Sequence, residues 1–101
     1  MEKRKPTYDL QSFKAVAVSL DSLEVTFSAL QGARELGLCS TGIVAVLQSM
    51  ERKDFYKSMT SIADHTVWQD VYHVPWNDII IYIKITAGRV AEFRLLSFKE
   101  K

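Results

Sequence analysis

The polar side chains best suited to chemistry are concentrated between Asp64 and His73, in the sequence DHTVWQDVYH. This segment holds both histidines of the chain, His65 and His73, and two aspartates, Asp64 and Asp70. Imidazole and carboxylate groups can bind a metal ion, and imidazole transfers protons near neutral pH. Residues spread along a strand, at about 3.3 Å per residue, cannot converge on one ion without ligands from elsewhere. The spacing therefore favours histidines that form hydrogen bonds at strand ends over a metal site, and it leaves either histidine open as a single acid or base.

A second group of side chains that could do chemistry lies on predicted strands. Its members are Lys57, Gln69, Tyr82, Lys84 and Lys99. No GxSxG, HExxH or P-loop motif accompanies them. Each residue taken singly is more typical of a solvated or half-buried sheet position than of a catalyst. Residue type alone therefore does not select a catalytic set.

The N-terminal half of the chain is predicted to be helical, because apolar residues recur there at spacings of three and four. The three apolar faces are Leu10, Phe13, Val16, Ala17 and Leu20; Phe27, Leu30, Ala33 and Leu36; and Ile43, Val44, Val46, Leu47 and Met50. Thr7 or Asp9 can cap the first helix. Thr26 can cap the second helix, and Ser40 the third.

From Phe55 onward the apolar period changes to two, which predicts strands. The strand candidates are Phe55–Ser61, Val67–Val74, the isoleucine-rich segment 79–86 and Val90–Phe98. Their short connections predict an antiparallel meander. The fold class is therefore α+β, with N-terminal helices packed on an antiparallel sheet in a single domain spanning residues 1–101.

Strand alternation predicts which side chains share a face. The row Ile79, Ile81, Ile83 and Ile85 should lie against the helices, with Tyr82 and Lys84 on the opposite row. By the same alternation Lys57 shares a row with Phe55 and Met59, and Gln69 shares one with Val67 and Val71. Alternation therefore does not unite the polar candidates on one face.

Size and charge exclude several classes of protein. The chain has 101 residues and a formal net charge of +1, so bulk charge gives no argument for nucleic-acid binding. One cysteine, Cys39, cannot form an internal disulfide, which indicates a reduced, cytoplasmic setting. No apolar run approaches the roughly 20 residues of a membrane span, and no apolar segment follows MEKRKP as in a secretory signal. We expect a soluble protein that does not act at a membrane.

Several motifs in one order resemble the MqsR family, bacterial toxin ribonucleases named for motility and quorum-sensing regulation. The matching segments are MEKR at the start, ARELGL at 33–38, DFYKSM at 54–59, DHTVWQDVY at 64–72, YIKIT at 82–86 and SFKEK at 97–101. The resemblance implies a RelE-like fold with a strongly twisted sheet. It also implies cleavage of messenger RNA, without a metal or cofactor, at sites containing GC.

The resemblance further implies partners and site residues. A cognate MqsA-like antitoxin would hold the toxin inactive, and the complex would reach operator DNA through the antitoxin. The catalytic positions carry over as Lys57, Gln69, Tyr82 and Lys99. Such enzymes use the substrate 2′-hydroxyl as the nucleophile, so we expect Lys57 or Tyr82 in proton transfer, Lys99 at the phosphorane and Gln69 in positioning. A basic role for Lys57 requires a lowered pKa, from desolvation or neighbouring cations.

Residues outside the catalytic set could guide the RNA. Lys84, Arg89 and Arg94 could attract the RNA backbone, and Trp76 could stack on a base. Solvated surface charge and ordinary packing are competing interpretations for each of them.

Two other functions stay open from sequence. One is a non-catalytic interaction module that acts through a partner bound at an exposed strand edge. The other is a metal-dependent hydrolase built on His65, His73, Asp64 and Asp70.

Overall fold

The helices precede the four long strands in the computed structural model, which describes all 101 residues. In chain order the elements are β1 (Glu2–Lys3), α1 (Leu10–Val16), β2 (Glu24–Val25), α2 (Phe27–Glu35), α3 (Ser40–Ser49), β3 (Phe55–Thr60), β4 (Trp68–Trp76), β5 (Ile79–Ala87) and β6 (Phe93–Glu100). Short 3-10 helices lie at Leu20–Ser22 and Arg52–Asp54. The predicted α+β class is confirmed. None of the helices is both long enough and apolar enough to cross a membrane.

The helix starts follow from their capping residues. Asp9 accepts a hydrogen bond at 2.9 Å from the backbone N–H three residues later, and Thr26 does the same at 3.1 Å, so both predicted caps are confirmed. The prediction for α3 is wrong by one residue, because Cys39 is the N-cap and makes no side-chain capping bond. Helix α1 ends at Val16, and Leu20 opens a separate 3-10 turn instead of continuing the helix.

The four long strands form the predicted antiparallel meander, at the centre of a six-stranded sheet ordered β1-β3-β4-β5-β6-β2. Strand β1 pairs antiparallel with β3, whereas β2 pairs parallel with β6, so the sheet is mixed. Both edge strands are two residues long. A segment this short carries no periodic signal, so neither edge strand was predicted.

The core lies between the helices and one face of the sheet. Ile81, Ile83 and Ile85 are fully buried there, as the isoleucine row predicts. Helix α2 approaches β6 so closely that a Cβ at Gly32 would lie 2.0 Å from the carbonyl oxygen of Phe98. Only glycine fits this contact, which locks α2 against the strand that carries Lys99.

Candidate active site

The face of the sheet turned away from the helices collects polar side chains from four strands. Tyr82 lies directly opposite His73 on β4 and Lys99 on β6. Residues paired across strands project to the same side, and so do residues two apart on one strand. We call this surface the open face, and its residues are Lys57, Met59, Gln69, Val71, His73, Tyr82, Lys84, Ser97 and Lys99. The fold thus brings together all four predicted catalytic residues and Lys84.

Lys57 reaches the open face because of a β-bulge. Phe55 pairs with Tyr72 and Lys57 pairs with Val71, so Tyr56 is an extra residue between them. Phe55 therefore packs on the core side, edge-to-face with Tyr72 at 5.5 Å between ring centroids. The prediction that Lys57 shares a row with Phe55 is wrong, because the bulge resets the alternation.

The bulge also adds an aromatic ring to the open face. The ring of Tyr56 stacks on His73, with centroids 4.4 Å apart and planes inclined by 22°. His73 in turn lies 5.9 Å from the ring of Tyr82, and Lys99 Nζ lies 5.4 Å from the centroid of Tyr82. Tyr56 was not predicted as a site residue, and its only signal in the sequence is its place beside Lys57 in DFYKSM.

A carboxylate absent from the predicted set reaches Lys57. Glu2 lies on β1, opposite Met59, and its Oε1 is 2.7 Å from Lys57 Nζ. The hydrogen bond to Glu2 raises the pKa of Lys57, and the same contact lowers the pKa of Glu2. The expectation that neighbouring cations and desolvation would lower the pKa of Lys57 is therefore wrong. Lys57 is an ammonium at neutral pH, suited to hold an anion and unsuited to act as a base.

Burial is the largest cause of the pKa shifts of three other open-face groups. It raises the pKa of Tyr82, so the phenol keeps its proton at neutral pH. It lowers the pKa of His73, with a further contribution from the positive charge of Lys101. It also lowers the pKa of Lys84, helped by Lys99. At neutral pH the open face therefore offers cations, a phenolic donor and a neutral imidazole.

The residues predicted to guide RNA are dispersed. Only Lys84 lies on the open face. Arg94 pairs with Glu24 at 2.7 Å, so its guanidinium is already bound to a carboxylate. Arg89 is exposed in the β5–β6 connection, and its backbone N–H also donates to Glu24. Trp76 packs against the core at the end of β4, on the helix side.

The four residues of the metal hypothesis do not converge. His65 is exposed in the β3–β4 connection, and Asp64 accepts hydrogen bonds from Thr66 in the same turn. Asp70 is buried and accepts backbone N–H bonds from the segment before α1, whereas His73 lies on the open face. No three His, Cys, Asp or Glu side chains are grouped as metal ligands.

The largest surface cavity, about 580 Å³, lies apart from these groups. It is lined by residues 5–11, Arg52 and Tyr72, and it contains no open-face residue. The buried Tyr72 hydroxyl has no hydrogen-bond partner, and burial raises the pKa of Tyr72 to about 12. The cavity is therefore separate from the predicted catalytic residues.

Comparison with known proteins gives one family. Residues 5–100 match the family described as motility quorum-sensing regulator, toxin of MqsA. The protein named mRNA interferase toxin MqsR from Escherichia coli (strain K12) is 43% identical over 101 residues, and the match covers 100% of both chains.

Proposed function

The chain belongs to the MqsR toxin family, and we propose that it is an endoribonuclease that cleaves messenger RNA and so inhibits translation and growth. The name of the Escherichia coli relative states such an activity for that protein. The observation that carries the proposal here is the open face, where Lys57, Gln69, Tyr82 and Lys99 come together from four strands. A helix-free surface with several cations and a phenol suits an extended, anionic substrate.

The reaction that suits this surface is transfer within the RNA itself. The 2′-oxygen attacks the adjacent phosphorus, a new P–O2′ bond forms, and the P–O5′ bond breaks. The products are a 2′,3′-cyclic phosphate and a 5′-hydroxyl. One group must take the 2′-hydroxyl proton and another must give a proton to the 5′-oxygen. DNA lacks the 2′-hydroxyl and would be spared.

The residues divide by protonation state. Lys57 and Lys99 supply positive charge where the phosphorane develops, which is the largest catalytic term in many enzymes. Tyr82 retains its proton at neutral pH and can donate a hydrogen bond to the phosphate or a proton to the 5′-oxygen. Gln69, opposite Met59 at the margin of the open face, positions a phosphate or a nucleobase. Lys84 adds a further cation beside Lys99.

The family description pairs this toxin with an antitoxin, MqsA. We therefore assign this chain a cognate MqsA-like partner that holds it inactive and links the complex to operator DNA. The preference for GC-containing sites and a cytoplasmic location complete the proposal.

The decisive experiment incubates purified protein with a defined messenger RNA in excess chelator and maps the new ends chemically. We expect cyclic phosphate and 5′-hydroxyl ends, with losses of about 10²-fold or more in Lys57→Ala, Tyr82→Phe and Lys99→Ala. Lys53→Ala is the matched control, because Lys53 is an exposed lysine away from the open face. Wild-type cleavage in all three folded variants would overturn the residue roles.

The same variants distinguish an enzyme from a pure binding module. An enzyme loses growth arrest in Tyr82→Phe or Lys99→Ala while it still binds its antitoxin. Growth arrest that survives both substitutions would favour the non-catalytic interaction module instead.

A further inference from the structure

The four proposed catalytic residues include no proton acceptor for the 2′-hydroxyl. Lys57 and Tyr82 both hold their protons at neutral pH. One titratable side chain among the residues that define the open face has no role in that scheme. It is His73, which lies opposite Tyr82, at the centre of the row Tyr56, His73, Tyr82 and Lys99.

We propose that His73 is the general base that removes the proton from the substrate 2′-hydroxyl. This inference rests on the proposed ribonuclease function. It departs from the sequence interpretation of His73 as a residue that forms hydrogen bonds at a strand end.

The geometry fixes the imidazole for this task. Tyr56 stacks on one side of the ring at 4.4 Å, and Tyr82 lies 5.9 Å away on the neighbouring strand. A ring held between two aromatic side chains has few accessible rotamers, so it presents its nitrogens in a defined direction. The β-bulge therefore contributes to the site, because it places the ring of Tyr56 where it orients the base.

Burial, followed by the positive charge of Lys101, favours the neutral form of His73 among the charged groups around it. Those on the neighbouring elements are Glu2 and Arg4 near β1, Tyr56 and Lys57 on β3, Tyr82 and Lys84 on β5, and Lys99 and Lys101 at the end of β6. Glu2, the carboxylate in this set, is engaged by Lys57. Burial and the charge of Lys101 lower the pKa of His73 below its ordinary value of 6.5. An unprotonated nitrogen is therefore present throughout the neutral range.

The step balances within the site. The 2′-hydroxyl proton passes to an imidazole nitrogen as the P–O2′ bond forms, which leaves an imidazolium. The P–O5′ bond breaks as Tyr82 or Lys57 gives a proton to the 5′-oxygen. The imidazolium then returns its proton to water, and the acid is reprotonated from water.

The test measures single-turnover cleavage of a short RNA from pH 5 to 9. Wild-type enzyme should lose activity on the acidic side, with a midpoint below about 6.5. In His73→Asn we expect a loss of roughly 10²- to 10⁴-fold and no acidic limb. Added imidazole should restore part of the activity of His73→Ala, because it can enter the space between the tyrosines. His65→Ala is the matched control, since it removes the other histidine, which is exposed in the β3–β4 connection and is not an open-face residue.

Two further measurements separate chemistry from structure. Circular dichroism melting establishes that each variant is folded. Affinity for an RNA with a 2′-deoxy residue at the cleavage site should be unchanged in His73→Asn, because the base acts only on the missing hydroxyl.

The outcomes separate the two proposals. If wild-type enzyme cleaves and His73→Asn keeps both its rate and its acidic limb, His73 is not the base and the ribonuclease function stands. If folded wild-type enzyme cuts no RNA, the ribonuclease function fails, and the role of His73 is overturned with it.

Discussion

Two glutamates at opposite edges of the sheet each bind a cation at 2.7 Å, yet their surroundings differ. Glu24, on edge strand β2, accepts hydrogen bonds from Nε and Nη2 of Arg94 and from three consecutive backbone N–H groups of residues 89–91. Glu2, on edge strand β1, binds the single ammonium of Lys57. Its side chain is 58% exposed, compared with 23% for Glu24.

The Glu24–Arg94 and Glu2–Lys57 pairs show how a structural ion pair differs from one at a candidate binding site. Glu24 joins β2, β6 and the β5–β6 connection, and no outside anion can replace a carboxylate that satisfies five donors at once. Glu2 offers Lys57 one exposed contact, which a phosphate can take over. Although both N–O distances are 2.7 Å, the Glu24 pair stabilises the fold, whereas the carboxylate of Glu2 can be replaced by a phosphate.

The largest expected effect distinguishes the two cations. Lys57→Ala should lower RNA cleavage by about 10²- to 10³-fold with little change in melting temperature, because the role proposed for the ammonium is to stabilise the phosphorane. Arg94→Ala should lower the melting temperature and leave the cleavage rate of the folded protein unchanged. Single-turnover cleavage and thermal melting of both variants check this. Wild-type cleavage by the Lys57→Ala enzyme would contradict the proposed difference between Lys57 and Arg94.

The next effect concerns the carboxylates. Glu24→Ala leaves three backbone N–H groups and a guanidinium without their acceptor, so it should lower the melting temperature more than Glu2→Ala does. Thermal melting at neutral pH provides the measurement. Equal shifts in the two variants would show that Glu24 is no more structural than Glu2.

The pH dependence of stability follows from Glu24. Its hydrogen bond with Arg94, then its backbone donors, lower the pKa of Glu24 from 4.5 to about 2. Because the folded pKa is depressed, the stabilisation is fully present above pH 4.5 and is lost as the pH falls toward 2. Melting temperatures of Glu24→Gln should therefore change less across this window than those of the wild type. If the melting temperatures of Glu24→Gln and the wild type changed in parallel with pH, Glu24 would not be the group responsible.

The smallest effect is expected from Glu2→Gln. Removing the competing carboxylate should raise affinity for a non-cleavable RNA by about two- to fivefold at low salt, with a smaller gain at high salt. The melting temperature should hardly change. A filter-binding titration at two salt concentrations tests this, and weaker binding would show that Glu2 assists the substrate.

Sequence periodicity was sufficient for the core and insufficient for the site. The isoleucine row on β5 and the caps Asp9 and Thr26 were predictable because each depends on residues close in the chain. Edge strands β1 and β2 could not be predicted, because only their pairing with strands that are distant in the sequence makes them extended. The bulge at Tyr56 does not show in the alternation of apolar and polar residues, so Lys57 was wrongly predicted to share a face with Phe55.

The family resemblance names the candidate site residues, whereas their electrostatics depend on contacts that the sequence does not show. The family resemblance supplied Lys57, Gln69, Tyr82 and Lys99, and strand register placed them on one face. The protonation of Lys57 depends on Glu2, which lies far away in sequence and arrives through β1. The same limit applies to the ion pair of Arg94, whose partner Glu24 lies 70 residues away in the chain.

The bulge in β3 also bears on how such a surface can evolve. An insertion in the middle of a strand ordinarily turns every later side chain to the other face. Here the extra residue is absorbed locally, since Phe55 and Lys57 pair with the adjacent residues Tyr72 and Val71 as they would without Tyr56. A lineage can therefore gain or lose this ring by a single-codon insertion or deletion while it keeps its core and its lysine.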